Sequence, residues 1–569
     1  MRFGLFYELQ LPRPWDACSE ERCLKEALEQ IELADRVGID YVWQVEHHFL
    51  EEYSHSSAPE VFLAAASQRT ERIRLGHGIV QIPPAFNHPA RVAERIATLD
   101  LLSGGRVDFG TGQGSSQVEL GGFLVDRELK HAQWEEMLGV IVRMMTEEPF
   151  GGHAGRFLTV PPRNVVPKPK QKPHPPLWVA CSRRETILQA ARRGLGALSF
   201  SFVEPEQAKT WVDEYYALIA SEECVPAGLT VNPQVAVVVP FMCHQDEQTA
   251  IDRGIDGAHF LGYSLAYYYV FGKHQPGRTN VWDEFTKHRV EYGFAREIIH
   301  ADNTPLGIQL LQHGLGSFRG AVGTPAQISD LLERYERAGV DQVIFAAQAG
   351  HNQHEHICES LDLFAWEVLP AFAERGPALE AAKRERLAGA IEQALARRSA
   401  LRLAPSDYFI TPKGETVFNR GAKGQASALM TALSGGAQET LFARFVRGRS
   451  DTQLELIMPV LAWLIFKGME RAFRPDRAYG FSGEIQYDLQ GRDGARKWTI
   501  RIADGKARAR IGPSERARVT LRMSVPTFAR MSAGVLDPMS AILEQRLEVE
   551  GDVDLVSRLG EMFGAPSRY

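Results

Sequence analysis

The stretch HPARVAERIATLDLLSGGRVDFGTGQG, residues 88–114, decides the fold. Its first part has a helical pattern, which leads into the apolar run RVDFG at 106–110 and then the glycine-rich loop GTGQG at 110–114. A helical segment that leads into a buried apolar run is the repeating unit of an α/β fold. The loop lacks the GxGxxG spacing of a dinucleotide-binding fingerprint, so it gives no evidence for a Rossmann site.

Similar apolar runs recur along the first 370 residues and alternate with helical patterns. They are nearly continuously apolar, as strands buried on both faces are. The runs are RFGLFY (2–7), DYVWQVE (40–46), IRLGHGI (73–79), RVDFG (106–110), LWVA (177–180), ALSFSF (197–202), QVAVVVPFM (234–242) and QVIFAA (342–347). Eight strand–helix units in this length predict a TIM barrel.

Two connections, 111–176 and 243–341, are too long for plain strand–helix units, and long loops in compact domains are usually functional. The second connection carries a group of aromatic residues: Tyr263, Tyr267, Tyr268, Tyr269 and Phe271. Two interpretations stay open: a lid over an apolar pocket, or a buried helix with aromatic packing.

The chain changes character after Pro370, and we expect a barrel over 1–376, a helical and loop linker over 377–440 and an α+β domain over 441–569. Within the linker, residues 377–400 are rich in Ala, Arg and Glu and predict an exposed linking helix, and residues 404–440 predict a loose connection. Residues 454–466 are densely apolar but too short to span a bilayer. Three segments with period-two patterns follow and predict an antiparallel sheet covered on one side, and the end is expected to be helical around an EVEGD turn. The period-two residues are Phe481, Ile485, Tyr487 and Leu489; Trp498, Ile500 and Ile502; and Val519, Leu521 and Met523.

Composition and charge restrict the class of protein. With 569 residues, 44% hydrophobic and 24% charged, the chain exceeds one hydrophobic core and is ordinary for a globular protein. No apolar run reaches 18 residues, and the first ten residues resemble a strand rather than a signal peptide, so we expect a cytoplasmic enzyme without a transmembrane segment. The six cysteines form no CxxC pair and are expected to be reduced thiols.

Charge is unevenly distributed between the two parts. Residues 441–569 carry 21 Lys+Arg and 16 Asp+Glu, whereas the rest of the chain carries 43 and 55. Opposite signs would help the parts dock or attract anionic lipids or acyl carriers, and an Arg-rich surface without a partner is the alternative. Nothing in the sequence indicates nucleic-acid binding.

The segment EHHF, residues 46–49, follows the second run, where a barrel strand points its residues at the reaction site. An imidazole titrates near neutrality, so His47 could move protons, although a structural role is also open. Adjacent residues on a strand point to opposite faces, which argues against a metal ion shared by His47 and His48. We also expect no metal site at His351, His354 and His356.

Cys181-Ser182-Arg183-Arg184-Glu185 follows the fifth run and opens a helix. Ser182 and Glu185 fit a capping box, and the free N–H groups and dipole of a helix start suit a phosphate. Arg183 or Arg184 could add charge. A plain helix cap is the alternative.

EHHF together with the pattern HPxxxAExxxxLDxxSxGRxxFGxGxG, both within 1–370, resembles the bacterial luciferase-like monooxygenase family. The resemblance implies a TIM barrel that binds reduced FMN or, in some branches, coenzyme F420; EHHF is closer to the FMN branch. It implies that His47 is catalytic, that the flavin ring rests on Gly78-Ile79, often with a cis peptide, and that Gly112 and Gln113 lie near the cofactor. It also implies phosphate binding at Cys181 and Ser182, but luciferases carry an Arg where this chain has Gln113.

The C-terminal part resembles the sterol carrier protein 2 family over about 441–565, through FSGEIQYDL, KWTIRIADGKARARIG and SVPTFARMSAGVLDPMSAILEQRLEVEGD. That resemblance implies an apolar tunnel for acyl chains or sterols, and a domain used only for dimerisation or stability is the alternative.

Three functions remain after these resemblances. The leading one is a monooxygenase that takes reduced FMN from a separate flavin reductase and uses O₂ to oxygenate a lipophilic aldehyde, ketone or similar molecule. The others are an F420-dependent dehydrogenase on the same barrel and a lipid-binding protein whose barrel is inactive. A homodimer is one option for the assembly.

Overall fold

The computed structural model describes the chain in two compact units, Met1–Tyr408 and Phe409–Tyr569. The described residues are 1–569 without 201–203, 293, 295–318, 399–407, 412–413, 418–445, 447–448, 476–477, 479–480, 492–493, 534, 537–540, 542–545, 553–554, 556–558, 560–561 and 564–569; side chains are also left undescribed at 409, 411, 414–417, 456–461 and 464. The loose connection expected at 404–440 therefore lies largely outside the described residues.

The first unit is a closed barrel of eight parallel strands, and each of the eight predicted runs forms one of them. The barrel strands are β1 (Arg2–Tyr7), β2 (Tyr41–Gln44), β3 (Arg74–His77), β5 (Val107–Gly112), β8 (Leu177–Cys181), β9 (Gly196–Ser199), β10 (Val235–Cys243) and β12 (Gln342–Ala346). Neighbours pair in that order, and pairing of β12 with β1 closes the ring. Short strands β4 (Val80–Gln81) and β11 (Ala321–Gly323) pair with β5 and β10, and β6 (His153–Ala154) and β7 (Thr159–Val160) form a small hairpin.

Helices surround the barrel. They are α1 (Ser19–Val37), α2 (Pro59–Ser67), α3 (Pro89–Leu102), α4 (Gln117–Gly122), α5 (Lys130–Thr146), α6 (Arg184–Arg192), α7 (Pro205–Ile219), α8 (Glu247–Ala266), α9 (Val281–His288), α10 (Pro325–Arg337), α11 (His354–Glu367) and α12 (Leu369–Ala396), with a 3₁₀ turn at Glu51–Tyr53. The side chains of β1 show how the layers form: Phe3, Leu5 and Tyr7 pack in the cluster under the helices, whereas Phe6 belongs to the cluster inside the barrel. Alternation along a strand thus places the next residue, Glu8, on the interior side.

Two tryptophans fill the lower part of the barrel. Trp43 and Trp178 are fully buried and meet edge to face with ring centroids 5.2 Å apart. Gly76 leaves room for this pair, because a Cβ there would lie 2.2 Å from the Trp43 ring. The two rings therefore fill the barrel interior below the carboxyl ends of the strands.

The long connection after β10 forms helix α8 and a π-helical turn at Tyr267–Phe271. Tyr263, Tyr267 and Tyr268 are buried among other aromatic rings, as the buried-helix interpretation predicts. Tyr269 lines a cavity instead. Residues 293 and 295–318 of this connection lie outside the described part.

Helix α12 differs from the exposed linking helix expected over 377–400. It begins at Leu369, and Leu387 and Ala394 are buried. Lys383 Nζ lies 2.7 Å from Asp341 Oδ1 of the barrel unit. Because these residues anchor the helix to the barrel, α12 is part of the first unit.

The second unit is a mixed five-stranded sheet in the order β17–β16–β15–β18–β19, with helices α13 (Asp451–Ala472) and α14 (Val525–Ser532). Its strands are β15 (Gly483–Gly491), β16 (Gly494–Ala503), β17 (Lys506–Ile511), β18 (Ala517–Ser524) and β19 (Leu547–Gly551), and a β13 (Tyr408–Thr411) and β14 (Gly414–Val417) hairpin stands at the unit boundary. The predicted apolar faces of β15, β16 and β18 are buried.

Two expectations for this unit were wrong. The sheet is not purely antiparallel, because β15 and β18 run parallel. The EVEG residues form strand β19 rather than a turn between helices, because Leu547 pairs beside Met523 and is buried while Glu548 and Glu550 are exposed, which is the period of a one-sided strand.

Candidate active site

A cavity of about 610 Å³ opens at the carboxyl ends of the barrel strands, a size typical of small-molecule sites. Six residues expected from the sequence line it: His47, Gly78, Ile79, Gly112, Gln113 and Ser182. Cys181 does not line the cavity. Its side chain is fully buried in the cluster between barrel and helices, and its thiol lies 3.4 Å from the carbonyl oxygen of Val179.

Part of the cavity wall is formed by glycines and Ile79. Gly112 stands beside Ile79, and a Cβ on Gly112 would lie 2.4 Å from Ile79 Cδ1. The Gly78–Ile79 peptide is trans, so the cis bond that the family often has is absent here; the Gly78 N–H donates to the Gln44 carbonyl at 2.7 Å and fixes this turn. The absence of side chains at Gly78 and Gly112 therefore lets Trp43 and Ile79 pack against this part of the wall.

His47 lies on the wall between two buried carboxylates. Its Nδ1 is 3.1 Å from Glu119 Oε1, and its Nε2 is 3.6 Å from Glu8 Oε2. His48 points elsewhere, with Nε2 3.2 Å from Glu46 Oε1, as expected for adjacent residues on an extended segment. The imidazole of His47 is thus held by an acid on each nitrogen.

Glu119 is surrounded by hydrogen-bond donors. Its Oε1 accepts from the His48 N–H at 3.0 Å and from Gln81 Nε2 at 2.8 Å, besides facing His47. Ser116 caps the short helix α4 that carries Glu119, by accepting from the Val118 N–H. The sequence analysis missed this residue, because the connection 111–176 has no strand period that would indicate which side chains face the barrel.

The sequence analysis also missed Glu8, although its position in the sequence indicates that it faces the barrel interior. It follows RFGLFY directly and continues the interior face of β1, which is the position where barrel sites are built. Tyr53 donates its hydroxyl hydrogen to Glu8 Oε1 at 2.8 Å.

His47, Glu8 and Glu119 influence each other's pKa values. Burial lowers the pKa of His47, but the negative charges of Glu119 and Glu8 outweigh burial and raise it from 6.5 to about 9. Burial raises the pKa of Glu8 from 4.5 to about 7 against the opposing effects of His47 and Tyr53. Burial acts on Glu119 in the same direction, but His47 and the donors around it hold the pKa of Glu119 below 4.5.

Three cationic side chains also line the cavity. They are Arg127, Lys130 and Arg183, and Lys130 Nζ donates to the Gly114 carbonyl at 2.6 Å. Burial, reinforced by the positive charges of Arg127 and Arg183, lowers the pKa of Lys130. Crowded cations at a helix start favour an anion such as a phosphate.

The helix start near these cations differs from the expected capping box. Helix α6 begins at Arg184 with Arg183 as its N-cap, one residue later than a Ser182 cap requires. The Thr186 hydroxyl, rather than Glu185, accepts from the Arg183 N–H at 3.3 Å. Ser182 and Glu185 still line the cavity beside this helix start.

Further apolar side chains line the cavity, and they come from β1, the end of β9, α8 and the π-helical turn. They are Phe6, Phe200, Leu261, Leu265, Tyr269 and Val270. This arrangement fits a planar ring with an anionic tail, together with a lipophilic molecule.

The described residues hold no group of three or more His, Cys, Asp or Glu side chains that could bind a metal ion, and His351 packs on Trp282. None of their helices has the length and apolar character needed to cross a bilayer.

Comparison with known proteins agrees with this geometry. Residues 1–342 match the luciferase-like monooxygenase family, and residues 466–564 match the SCP-2 sterol transfer family. The oxygenase component of a flavin-dependent trigonelline monooxygenase from Acinetobacter baylyi is 32% identical over 32% of this chain and 49% of its own length. A 4-hydroxyprotoasukamycin monooxygenase from Streptomyces nodosus subsp. asukaensis is 29% identical over 43% of this chain and 65% of its own length.

A solved structure shares the barrel. The monooxygenase RslO1 from Streptomyces bottropensis is 25% identical, with a TM-score of 0.51, over 65% of this chain and all of its own. The chain spans about half the length of the first curated relatives it matches. The family match covers more than half of the chain and includes the cavity, so this protein belongs to the luciferase-like monooxygenase family and carries an additional SCP-2 domain.

Proposed function

We propose that the barrel is a flavin-dependent monooxygenase that uses reduced FMN and O₂ to oxygenate a lipophilic substrate such as an aldehyde or ketone. The observation that carries the proposal is the position of His47 between Glu8 and Glu119, at the wall of a cavity that is also lined by glycines, apolar side chains and a group of cations. An intact acid–base group of this kind argues against an inactive barrel that only binds lipid.

Different lining residues would bind different parts of the flavin. Gly78, Ile79 and Gly112 offer an apolar wall to the ring, and Arg183 with Lys130 offers charge to the phosphate. Reduced flavin, when bound, supplies the electrons that activate O₂. The apolar side chains around the mouth exclude water from that chemistry.

His47 holds a proton at neutral pH, because its pKa is raised to about 9. Its Nε2 faces the side of the cavity where Glu8 lies, and its Nδ1 is fixed by Glu119. In this arrangement His47 places a donor N–H beside the reacting oxygen atoms and steers protons to them.

The proposal implies a partner protein for the barrel and a ligand for the SCP-2 domain. A separate flavin reductase supplies reduced FMN; in support, one relative is itself named an oxygenase component. The SCP-2 domain holds a lipophilic molecule and raises its concentration near the barrel, since an apolar substrate is scarce in water.

The test compares cofactors and follows oxygen. Anaerobic titration of the full chain with reduced FMN and with reduced F420 should show tighter binding of FMN, and ¹⁸O₂ should enter the product of an apolar aldehyde or ketone. Preferential binding of F420 with substrate oxidation and no ¹⁸O in the product would establish a dehydrogenase instead. Binding of neither cofactor would leave lipid binding as the function.

A further inference from the structure

Glu8 combines deep burial with an oxygen atom that no donor satisfies. The residue is 3% exposed and lines the cavity. Its Oε1 accepts from the Tyr53 hydroxyl, whereas its Oε2 has no hydrogen-bond partner within the described part of the chain and stands 3.6 Å from His47 Nε2. A buried, charged carboxylate oxygen without a donor is costly, and protonation of that oxygen removes the charge.

The two carboxyl groups beside His47 therefore differ in their surroundings. Glu119 Oε1 faces His47 and accepts from the His48 N–H and the Gln81 amide, whereas its Oε2, like Glu8 Oε2, has no hydrogen-bond partner among the described residues. Glu8 Oε1 accepts from the Tyr53 hydroxyl, and the Ser54 hydroxyl, which donates to the Glu8 carbonyl, adds a weaker effect that lowers the pKa of this carboxyl. Two carboxyl groups whose environments separate their protonation are the pattern of an acid and a fixed counter-ion.

We propose, on the basis of the monooxygenase function, that Glu8 is the acid of this site and that Glu119 is the permanent counter-ion of His47. Glu8 Oε2–H gives its proton to the oxygen atom of O₂ that leaves as water, while the other oxygen atom enters the substrate. The two electrons come from the reduced flavin. The Glu8 O–H bond breaks and a new O–H bond forms on the leaving oxygen, whose second hydrogen comes from the reduced flavin as it is oxidised. The carboxylate regains a proton from His47 Nε2–H, and solvent then restores the proton of His47.

The charges around Glu8 agree with this role. The ionisable groups that act on it or on its partner are His47, Glu119, Tyr53 and Tyr269, with Glu46 acting on His47. Burial is the largest effect and raises the pKa of Glu8 to about 7. Below that pH the carboxyl is undissociated and can donate, and as pH rises through about 7 the donor is lost.

A first experiment needs no cofactor. Infrared difference spectra of the ligand-free full chain, recorded across pH, should show a protonated carboxyl band that disappears near pH 7 in the wild type. Glu8→Gln should remove that band. Glu26→Gln, which changes a carboxyl on α1 outside the cavity, should leave it in place. A Glu8 that titrates like an ordinary exposed carboxyl overturns the proposal.

A second experiment measures oxygenation against pH with reduced FMN supplied. The wild-type rate should fall above about pH 7, which gives the pH profile an alkaline limb. Glu8→Gln should lose this limb and should be slower by about 100-fold, the typical contribution of one acid or base. Tyr53→Phe removes the hydrogen bond that lowers the pKa of Glu8, so its limb should move to higher pH. Glu26→Gln should keep the wild-type limb.

The outcomes separate this inference from the proposed function. Normal flavin binding and ¹⁸O incorporation with an unchanged pH limb in Glu8→Gln refute the role of Glu8 alone. If Glu8→Gln does not fold, an unshifted limb in Tyr53→Phe refutes it equally. A chain that binds no reduced flavin refutes the monooxygenase and the role of Glu8 with it.

Discussion

Replacing Glu119 with Gln should neutralise the charge that keeps His47 protonated. Gln keeps an oxygen that can accept from the His48 N–H and from His47 Nδ1–H, so the geometry at 3.0 Å and 3.1 Å can persist while the charge is lost. Glu119 is the largest of the influences that raise the pKa of His47, and burial, which lowers it, is larger still. The pKa of His47 should therefore fall below about 9, although Glu8 and Glu46 continue to raise it.

In the wild type, the pKa of His47 is raised from 6.5 to about 9. At 1.36 kcal/mol per pKa unit this shift corresponds to about 3 kcal/mol of preference for the imidazolium form. Since the folded-state pKa is the raised one, this contribution to the free energy of unfolding is fully present below pH 6.5 and is lost as pH rises through about 9. In Glu119→Gln that loss should occur at lower pH.

The assay is NMR titration of ¹⁵N-labelled histidine in the ligand-free protein, with denaturant midpoints at pH 6 and pH 9.5 beside it. Glu136→Gln is the matched control, because Glu136 pairs with His153 at 2.9 Å far from the cavity residues. That control should leave the titration of His47 unchanged. A pKa of His47 that stays near 9 in Glu119→Gln would refute the reasoning.

Four further predictions concern binding, turnover and the second unit. Gly112→Ala should push Ile79 into the cavity and weaken binding of reduced FMN by about 5- to 150-fold, the equivalent of the 1–3 kcal/mol typical of overpacking, as measured by anaerobic titration. Arg183→Ala should weaken binding of FMN but not of riboflavin, which lacks the phosphate; equal losses for both would contradict a phosphate site. His47→Ala should reduce the yield of oxygenated product while flavin affinity changes little, and equal yields would remove His47 from the mechanism. Truncation after residue 398, which keeps α12 on the barrel, should raise KM selectively for long apolar substrates, whereas a uniform loss of stability would indicate a structural domain.

The barrel could be predicted because buried parallel strands leave a strong local signal. Each of the eight apolar runs needed only its own residues to be recognised, and each forms a strand. The strand β19 was missed because its exposed Glu548 and Glu550 resemble a turn, and only pairing with β18 shows that Leu547 and Val549 face inward. Strand assignment at a sheet edge depends on a neighbour that the local sequence does not contain.

The closer a site residue lies to the end of a barrel strand, the more easily it could be predicted from the sequence. His47 was found because it follows β2, and the same rule with strict alternation would have found Glu8 and excluded Cys181, which lies on the outward face with Leu177. Glu119 and Lys130 come from the long connection after β5, where no period relates a side chain to the barrel. Their positions depend on how that connection folds back over the strand ends.

The protonation of the two carboxyl groups at the site depends on hydrogen-bond donors that cannot be counted from the sequence. Glu8 and Glu119 are the same residue type, both buried and both within reach of one imidazole. One carboxyl collects donors from His48, Gln81 and His47, while the other has the Tyr53 hydroxyl and a weaker effect of Ser54. The charge of His47 lowers the pKa of both, and burial raises both; for Glu8 burial prevails, whereas for Glu119 the charge of His47 and the added donors prevail. An acid and a counter-ion can therefore arise from two glutamates that differ in burial and in donors, and the loss of one donor, as in Tyr53→Phe, should raise the pKa of the acid without replacing it.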